Sequence, residues 1–264
     1  MGALGQVRAT ADTRIAVEYG APATVRGLGE RFRTVEGYGF GMIANTAKLV
    51  DEAIGVDPRA FDDAIVAGQS PRWGGVLLGD YDVDTANDRL ADRGIERAEA
   101  EDGSTRWTSG ADFEVDLEGP FVGVVQINQF NSIRTADGSF AYAPSAAGVD
   151  WVTDPGAETL AGDDRIGGLA RCLGDVVAAR IEKVAAGVLE DGTEVVCLDG
   201  EKAAVEEALG GDVTSARRPW DEILPGWRVE QAGDLVRVTA PADQDLPVGR
   251  GLQAMAAGDL RELT

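Results

Sequence analysis

The 264-residue chain contains no histidine. That absence excludes hydrolases that use a histidine base, zinc sites built on imidazole, and pH switches based on histidine. Catalysis would have to depend on carboxylates, lysine, tyrosine, backbone amides or a bound metal. The sequence therefore favours a non-catalytic role, and we expect no cofactor.

Positive charge is also scarce. Lysine and arginine together number 24 against 46 aspartates and glutamates, which gives a formal net charge of −22. A surface this negative repels nucleic-acid phosphates and anionic lipid headgroups, so we expect no nucleic-acid partner. Self-repulsion that keeps the chain soluble explains the charge. Adaptation to high salt, where charges are screened within about 3 Å at 1 M, is the alternative explanation.

Long apolar runs are missing. The stretch 121–125 is among the longest and is far shorter than the roughly 20 residues that cross a bilayer. No signal peptide is visible, and we expect residues 1–12 to be a flexible tail. Membrane attachment would then require a lipid anchor outside this sequence.

One order of elements occurs twice. Residues 73–79 predict a strand, 80–94 a capped helix, and 95–109 a hairpin that turns at Asp102–Gly103. Residues 194–240 repeat strand, acidic turn, helix and hairpin. We therefore predict an α+β fold of two ferredoxin-like or split βαβ units, with mostly antiparallel sheets and helices packed on one face. The predicted domains are residues 13–155 and 156–264.

Other elements follow from local patterns. Residues 14–19, 31–37 and 175–181 predict strands, and a further pair turns at Asp137–Gly138. Residues 23–32 and 42–55 predict helices, and residues 155–174 are expected to be helical in part.

Cys172 and Cys197 are the only cysteines. Neither belongs to a CxxC motif, so a redox or thiolate metal site has no support. The pair either forms a disulfide or fills the core as two small apolar side chains. We favour the disulfide because each cysteine adjoins a predicted structured element, and this would place the protein outside the cytoplasm.

Asp80, Asp82 and Asp84 alternate after a predicted strand, as the first ligands of a calcium loop do. Thr85 and Ala91 stand where an EF-hand needs glycine and glutamate, so that motif is excluded. A helix N-cap is the simpler interpretation of Asp82 or Asp84, and a cation site is the alternative.

Three further features have structural interpretations that we prefer. The run Gly39–Ala44 matches GxGxxA, but no acidic residue follows the next strand as a dinucleotide site requires, so a tight turn before a helix is favoured. The tryptophans and tyrosines are scattered, which favours core positions over a sugar platform. Adjacent acids such as Asp62–Asp63 and Asp163–Asp164 are expected by chance in so acidic a chain.

The run 171–180, the segment Val195–Val196–Cys197 and the prolines around Trp220 resemble a group of secreted cell-envelope proteins of high-GC actinobacteria, some of them lipoproteins. Residues 79–95 are also similar to strand–helix units of haloarchaeal secreted proteins. The resemblance implies an exported location and a disulfide, and it implies no activity.

Two functions remain open at this point. The preferred one is an exported cell-envelope protein with a structural role or with a protein or small-molecule partner. The alternative is a carboxylate-dependent enzyme or divalent-cation-binding protein that uses Asp80, Asp82 and Asp84.

Overall fold

The computed structural model describes residues 2–9, 15–125, 128–154, 156–211 and 218–263. Residues 10–12 of the expected tail, the start of the strand predicted at 14–19, and Pro155 at the expected domain boundary lie outside these ranges. Residues Gly2–Gln6 form a 3-10 helix, and Leu4 is buried.

The described strands belong to one antiparallel sheet of twelve strands, in the order β11-β12-β10-β9-β8-β1-β2-β3-β7-β6-β5-β4. Their bounds are β1 Val17–Gly20, β2 Asp63–Gln69, β3 Arg72–Leu78, β4 Glu96–Glu99, β5 Thr105–Thr108, β6 Ser132–Ala136, β7 Ser139–Ala143, β8 Val176–Ile181, β9 Ala185–Leu189, β10 Glu194–Asp199, β11 Arg228–Ala232 and β12 Leu235–Ala240.

The α-helices of the described residues are α1 Pro22–Gly27, α2 Ala47–Ile54, α3 Val83–Asp92, α4 Ala146–Thr153, α5 Asp164–Leu173, α6 Lys202–Leu209, α7 Trp220–Ile223 and α8 Arg250–Ala257. Further 3-10 helices occupy Glu30–Val35, Gly41–Thr46, Pro58–Ala60 and Asp259–Leu263. The α+β class and the antiparallel pairing predicted from the sequence are confirmed.

The recurring order of elements is also confirmed. Strand β3, helix α3 and hairpin β4–β5 form the first copy, and β10, α6 and β11–β12 form the second, in which the short helix α7 lies between α6 and β11. The two halves of the sheet meet where β1 pairs with β8, from Val17 opposite Ile181 to Gly20 opposite Ala178. Whether each half is a ferredoxin-like unit, and whether a domain boundary lies near 155, stay predictions.

The helices lie on both faces of the sheet. Cys197 on β10 is bonded to Cys172 on α5, whereas Glu194 on the same strand accepts hydrogen bonds from three backbone amides at the start of α8. Side chains three positions apart on a strand point to opposite faces. The expectation that the helices cover one face is therefore wrong, because residues Glu194–Leu198 of β10 are all buried and both faces are covered.

The predicted disulfide is confirmed. The Cα atoms of Cys172 and Cys197 lie 6.1 Å apart, and the bond attaches α5 to β10. Because Cys197 is fully buried and Cys172 is partly exposed, the disulfide lies at the edge of the core beneath α5.

The strand predicted at 31–37 is wrong, because Glu30–Val35 form a 3-10 helix. Phe32 and Val35 are three residues apart, so a helix with three residues per turn places both on one side, where both are buried. The helix predicted at 23–32 ends at Gly27, and Gly29, at φ 87°, separates it from the 3-10 helix.

Candidate functional site

The connection between β5 and β6 is a long loop that contains no helix or strand among its described residues. Its two ends are held together at the sheet. The Ser109 amide donates to the Asn131 carbonyl at 3.0 Å, and the Asn131 side-chain amide donates to the carbonyls of Ala111 (2.8 Å) and Glu114 (2.9 Å). Loops longer than about 12 to 15 residues in compact domains are often functional.

An aromatic contact fixes the middle of this connection. Phe121 is buried against Phe130 in an edge-to-face contact with centroids 5.1 Å apart. Arg93, which ends α3, donates to the Pro120 carbonyl at 2.6 Å, and its guanidinium lies 5.6 Å from the Phe121 ring centroid. The loop is therefore fastened to the rest of the protein at its middle as well as at its two ends.

Residues 111–118 form the part of the loop that faces solvent, and we call them the acidic-apolar loop. All eight are exposed. Phe113, Val115 and Leu117 are among the six large apolar side chains exposed in the described part of the chain, and Leu117 is 75% exposed. Val122, in the same connection, is a fourth. Apolar exposure concentrated in one segment marks an interaction surface more often than exposure scattered over a molecule.

Phe113 adopts a conformation that is unfavourable for its residue type. Its φ of 62° lies in the left-handed region, which costs a non-glycine residue about 1 to 3 kcal/mol. The Phe113 amide donates to the Pro144 carbonyl at 2.7 Å, and its own carbonyl accepts from the Asn128 side chain at 3.3 Å. These bonds hold the backbone in a geometry that leaves the ring partly in solvent.

The charges around the exposed apolar residues have one sign. Acidic residues alternate with them: Asp112, Glu114, Asp116 and Glu118. No basic residue occurs between Arg106 and Arg134. The Glu114 carboxylate accepts from the Ala111 amide and Asp116 from the Glu118 amide, so two of the acids also shape the loop. The surface is thus both apolar and anionic.

The three aspartates proposed from the sequence lie at the start of α3. Asp82 is the N-cap: its carboxylate accepts from the Thr85 amide at 2.9 Å and from the Thr85 hydroxyl at 2.7 Å. These hydrogen bonds, the backbone one foremost, lower the pKa of Asp82 below its usual value. The capping interpretation of Asp82 is confirmed.

Asp80 and Asp84 are exposed on either side of this cap. Among the residues that the structure describes, no group of three or more acidic or cysteine side chains is placed to hold a metal ion. The cation site at Asp80, Asp82 and Asp84 stays a prediction without a supporting cluster.

The glycine run leads into the 3-10 helix Gly41–Thr46, which contains its last four residues, rather than directly into an α-helix. A Cβ on Gly39 would lie 2.3 Å from the Ala64 carbonyl oxygen, so glycine allows this segment to pass closely over the sheet. The amides of Phe40 and Ile43 donate to the carbonyls of Gly37 and Phe40. The tight-turn interpretation accounts for this run.

The remaining sequence candidates have structural roles. Trp73, Trp107, Trp220 and Tyr142 are buried, as the core interpretation predicts. Four others of this set are only partly buried and pack against the core: Trp151, Trp227, Tyr38 and Tyr81. Of the paired acids, Asp63 accepts from the Tyr19 hydroxyl at 2.6 Å, and Asp163 caps α5 through the Ile166 amide at 2.6 Å.

The acidic-apolar loop is the feature that the sequence predictions missed. The signal was the strict alternation of apolar and acidic residues from Asp112 to Glu118. Taken alone, that alternation is typical of a half-buried strand, and only the structure shows that no neighbouring strand covers it.

No protein-family model matches the chain, and neither a curated protein nor a solved structure matches it. None of the described helices has the length and apolar character needed to cross a bilayer. The fold and the site thus define an α+β protein with a wide antiparallel sheet and one acidic, apolar loop.

Proposed function

We propose that this protein is a non-catalytic binding protein that acts outside the cytoplasm, and that the acidic-apolar loop docks a basic protein partner. The observation that carries the proposal is the concentration of exposed apolar side chains at 113–117 on an anchored loop. Burying one leucine of this kind contributes about 1.5 to 3 kcal/mol, so three neighbouring apolar side chains supply useful affinity.

Charge selects the class of partner. Four acids flank the apolar residues and no base lies near them in sequence, so a partner with lysine or arginine beside apolar side chains complements the loop. A second copy of this chain carries the same charge of −22 and is repelled. Anionic lipids and nucleic acids are repelled for the same reason.

The proposed location depends on the disulfide. Such bonds persist in oxidising compartments and are rare in the cytosol. Attachment to the cell envelope, by a lipid anchor or otherwise, follows only from the resemblance to secreted actinobacterial proteins and forms part of the proposal.

A defined peptide tests the docking site. The probe is a short synthetic peptide of alternating leucine and lysine, with two matched controls in which either the leucines become serine or the lysines become glutamate. We expect saturable binding of the first peptide alone in isothermal titration calorimetry. The affinity should fall as salt rises, because the Debye length is only about 10 Å at 0.1 M.

Two variants locate the binding on the surface. Leu117→Ser should weaken the affinity by about tenfold or more, since it removes most of one buried leucine. Leu49→Ser is the control, because Leu49 is 42% exposed on α2, outside the loop, and its replacement should leave the affinity unchanged. Equal weakening by both variants, or binding of the glutamate peptide, would refute the proposed site.

A further inference from the structure

A cavity of about 660 Å³ opens at the end of the sheet, where the turns at Gly103 and Asp137 lie near the start of α3. Its volume falls within the range of about 300 to 1,000 Å³ that is typical of small-molecule sites. On the α3 face of the sheet the lining comprises Val83, Asp84 and Asn87 of α3 with Arg97, Glu99 and Thr135 of strands β4 to β6. The cavity continues round the end of the strands to the other face, where Val76, Val152 and Thr153 line it. The acidic-apolar loop contributes no residue to this lining.

A chain of hydrogen bonds leads from the core to the cavity. The buried Trp107 indole donates to the Thr135 hydroxyl at 3.3 Å, and that hydroxyl donates to the Asn87 side-chain carbonyl at 2.6 Å. The Asn87 amide nitrogen has no acceptor among the described residues. A ligand oxygen in the cavity can therefore accept a hydrogen bond from Asn87, whose position Thr135 fixes.

The two arginines of the cavity are already paired. Arg97 donates to Glu99 at 2.9 Å with its guanidinium 5.5 Å from the Trp107 ring centroid, and Arg134 donates to Asp102 at 2.8 Å. These pairs leave little positive charge for an anionic ligand.

The cavity is also about as acidic as the rest of the chain. Asp84, Glu99, Asp102 and Asp137 exceed the two arginines by two among nineteen lining residues, close to the excess of 22 over 264 for the whole sequence. Charge therefore does not select a cationic ligand here. The lining offers instead a mixture of donors and acceptors, in which Asn87 donates while Glu99 and Asp84 accept.

We propose that this cavity binds a small hydroxyl-rich molecule, a monosaccharide or a polyol of similar size. Each hydroxyl group of such a ligand both donates and accepts hydrogen bonds, which matches the paired donors and acceptors of the lining. The Val83 side chain supplies an apolar contact for the ligand's C–H groups. This site is independent of the proposed docking loop.

The indole N–H of Trp107 reports binding by NMR, because its hydrogen bond leads through Thr135 to Asn87. The probes are glucose, N-acetylglucosamine and glycerol, with spermidine and inorganic phosphate as a cation and an anion for comparison. We expect at least one of the first three to shift the Trp107 resonance saturably, and neither charged compound to do so.

Asn87→Ala should weaken that binding by about tenfold, the effect of losing one well-placed hydrogen bond. Asp88→Ala is the matched control, since Asp88 is the exposed next residue of α3 and does not line the cavity. Circular dichroism verifies that both variants fold. The proposal is overturned if none of the three neutral probes shifts the resonance, if spermidine or phosphate alone saturates, or if the two variants behave alike.

Discussion

Glu18, Arg180 and Glu182 form a half-buried charge cluster at the centre of the sheet, where β1 pairs with β8. Arg180 donates to Glu18 at 3.2 Å and to Glu182 at 2.6 Å, and each of the three side chains is less than a third exposed. One arginine thus donates hydrogen bonds to two carboxylates. Burial raises the pKa of Glu18, although Arg180 opposes the shift and the neighbouring Glu182 adds to it.

This raised pKa predicts a pH dependence of stability. A carboxyl group whose pKa is higher in the folded state favours folding while it is protonated, and that contribution is lost as pH rises from its ordinary value of 4.5 through the folded value. Glu18→Gln removes the titration and keeps an acceptor for Arg180. We therefore expect the free energy of unfolding of Glu18→Gln, relative to the native chain, to increase as the pH rises from 4.5 to 7.

Urea titrations at both pH values measure this difference. A second variant, Arg180→Met, leaves two half-buried carboxylates without their cation. We expect it to lower the free energy of unfolding by about 2 to 3 kcal/mol at pH 7. A Glu18→Gln variant that loses stability relative to the native chain as pH rises would contradict the assignment.

Elements with strong local signals were predictable from the sequence. Helix α3 has an aspartate cap and apolar residues that lie on one side, with Ala86 and Leu90 buried, and its hairpin turns at Asp102–Gly103 as expected. Such capping and turn signals come from a few neighbouring residues, so they are visible in the sequence without knowledge of the elements that pack around them.

Strand β9 and helices α4 and α8 were not predicted from the sequence, and the physical reason is the same for all three. Strand β9 consists of small buried residues without alternation, and helices α4 and α8 are short and contain glycine. These segments form because neighbouring elements cover them. The N-terminal amides of α8, for example, are satisfied by Glu194 from β10, and burial raises the pKa of that carboxyl. Periodicity in a single segment does not contain this information.

The disulfide between α5 and β10 should contribute measurably to stability. It closes a loop over a sequence separation of 25, for which the chain-entropy model gives about 3 kcal/mol. We expect the double substitution of Cys172 and Cys197 by alanine to lower the free energy of unfolding by about that amount in urea titrations. A loss well below 1 kcal/mol would show that packing of α5 alone holds it to the sheet.

At the scale of the whole molecule, the sheet positions the β5–β6 connection, and the net charge determines which partners are attracted or repelled. Twelve strands place β4, with four exposed residues, at one edge, and the β5–β6 connection emerges next to it. A net charge of −22 repels copies of the chain and attracts cationic partners. The candidate site was not predictable from the sequence, because its exposure depends on where the sheet ends.

The most direct test of the docking proposal is hydrogen–deuterium exchange on the full chain, with and without the leucine–lysine peptide. In the free protein the amides of Val115, Asp116 and Leu117 donate to no acceptor among the described residues, so they should exchange rapidly. We expect the peptide to slow exchange within 111–118 and to leave exchange in α3 and the central strands unchanged. Protection elsewhere in the chain, with residues 111–118 unaffected, would contradict it.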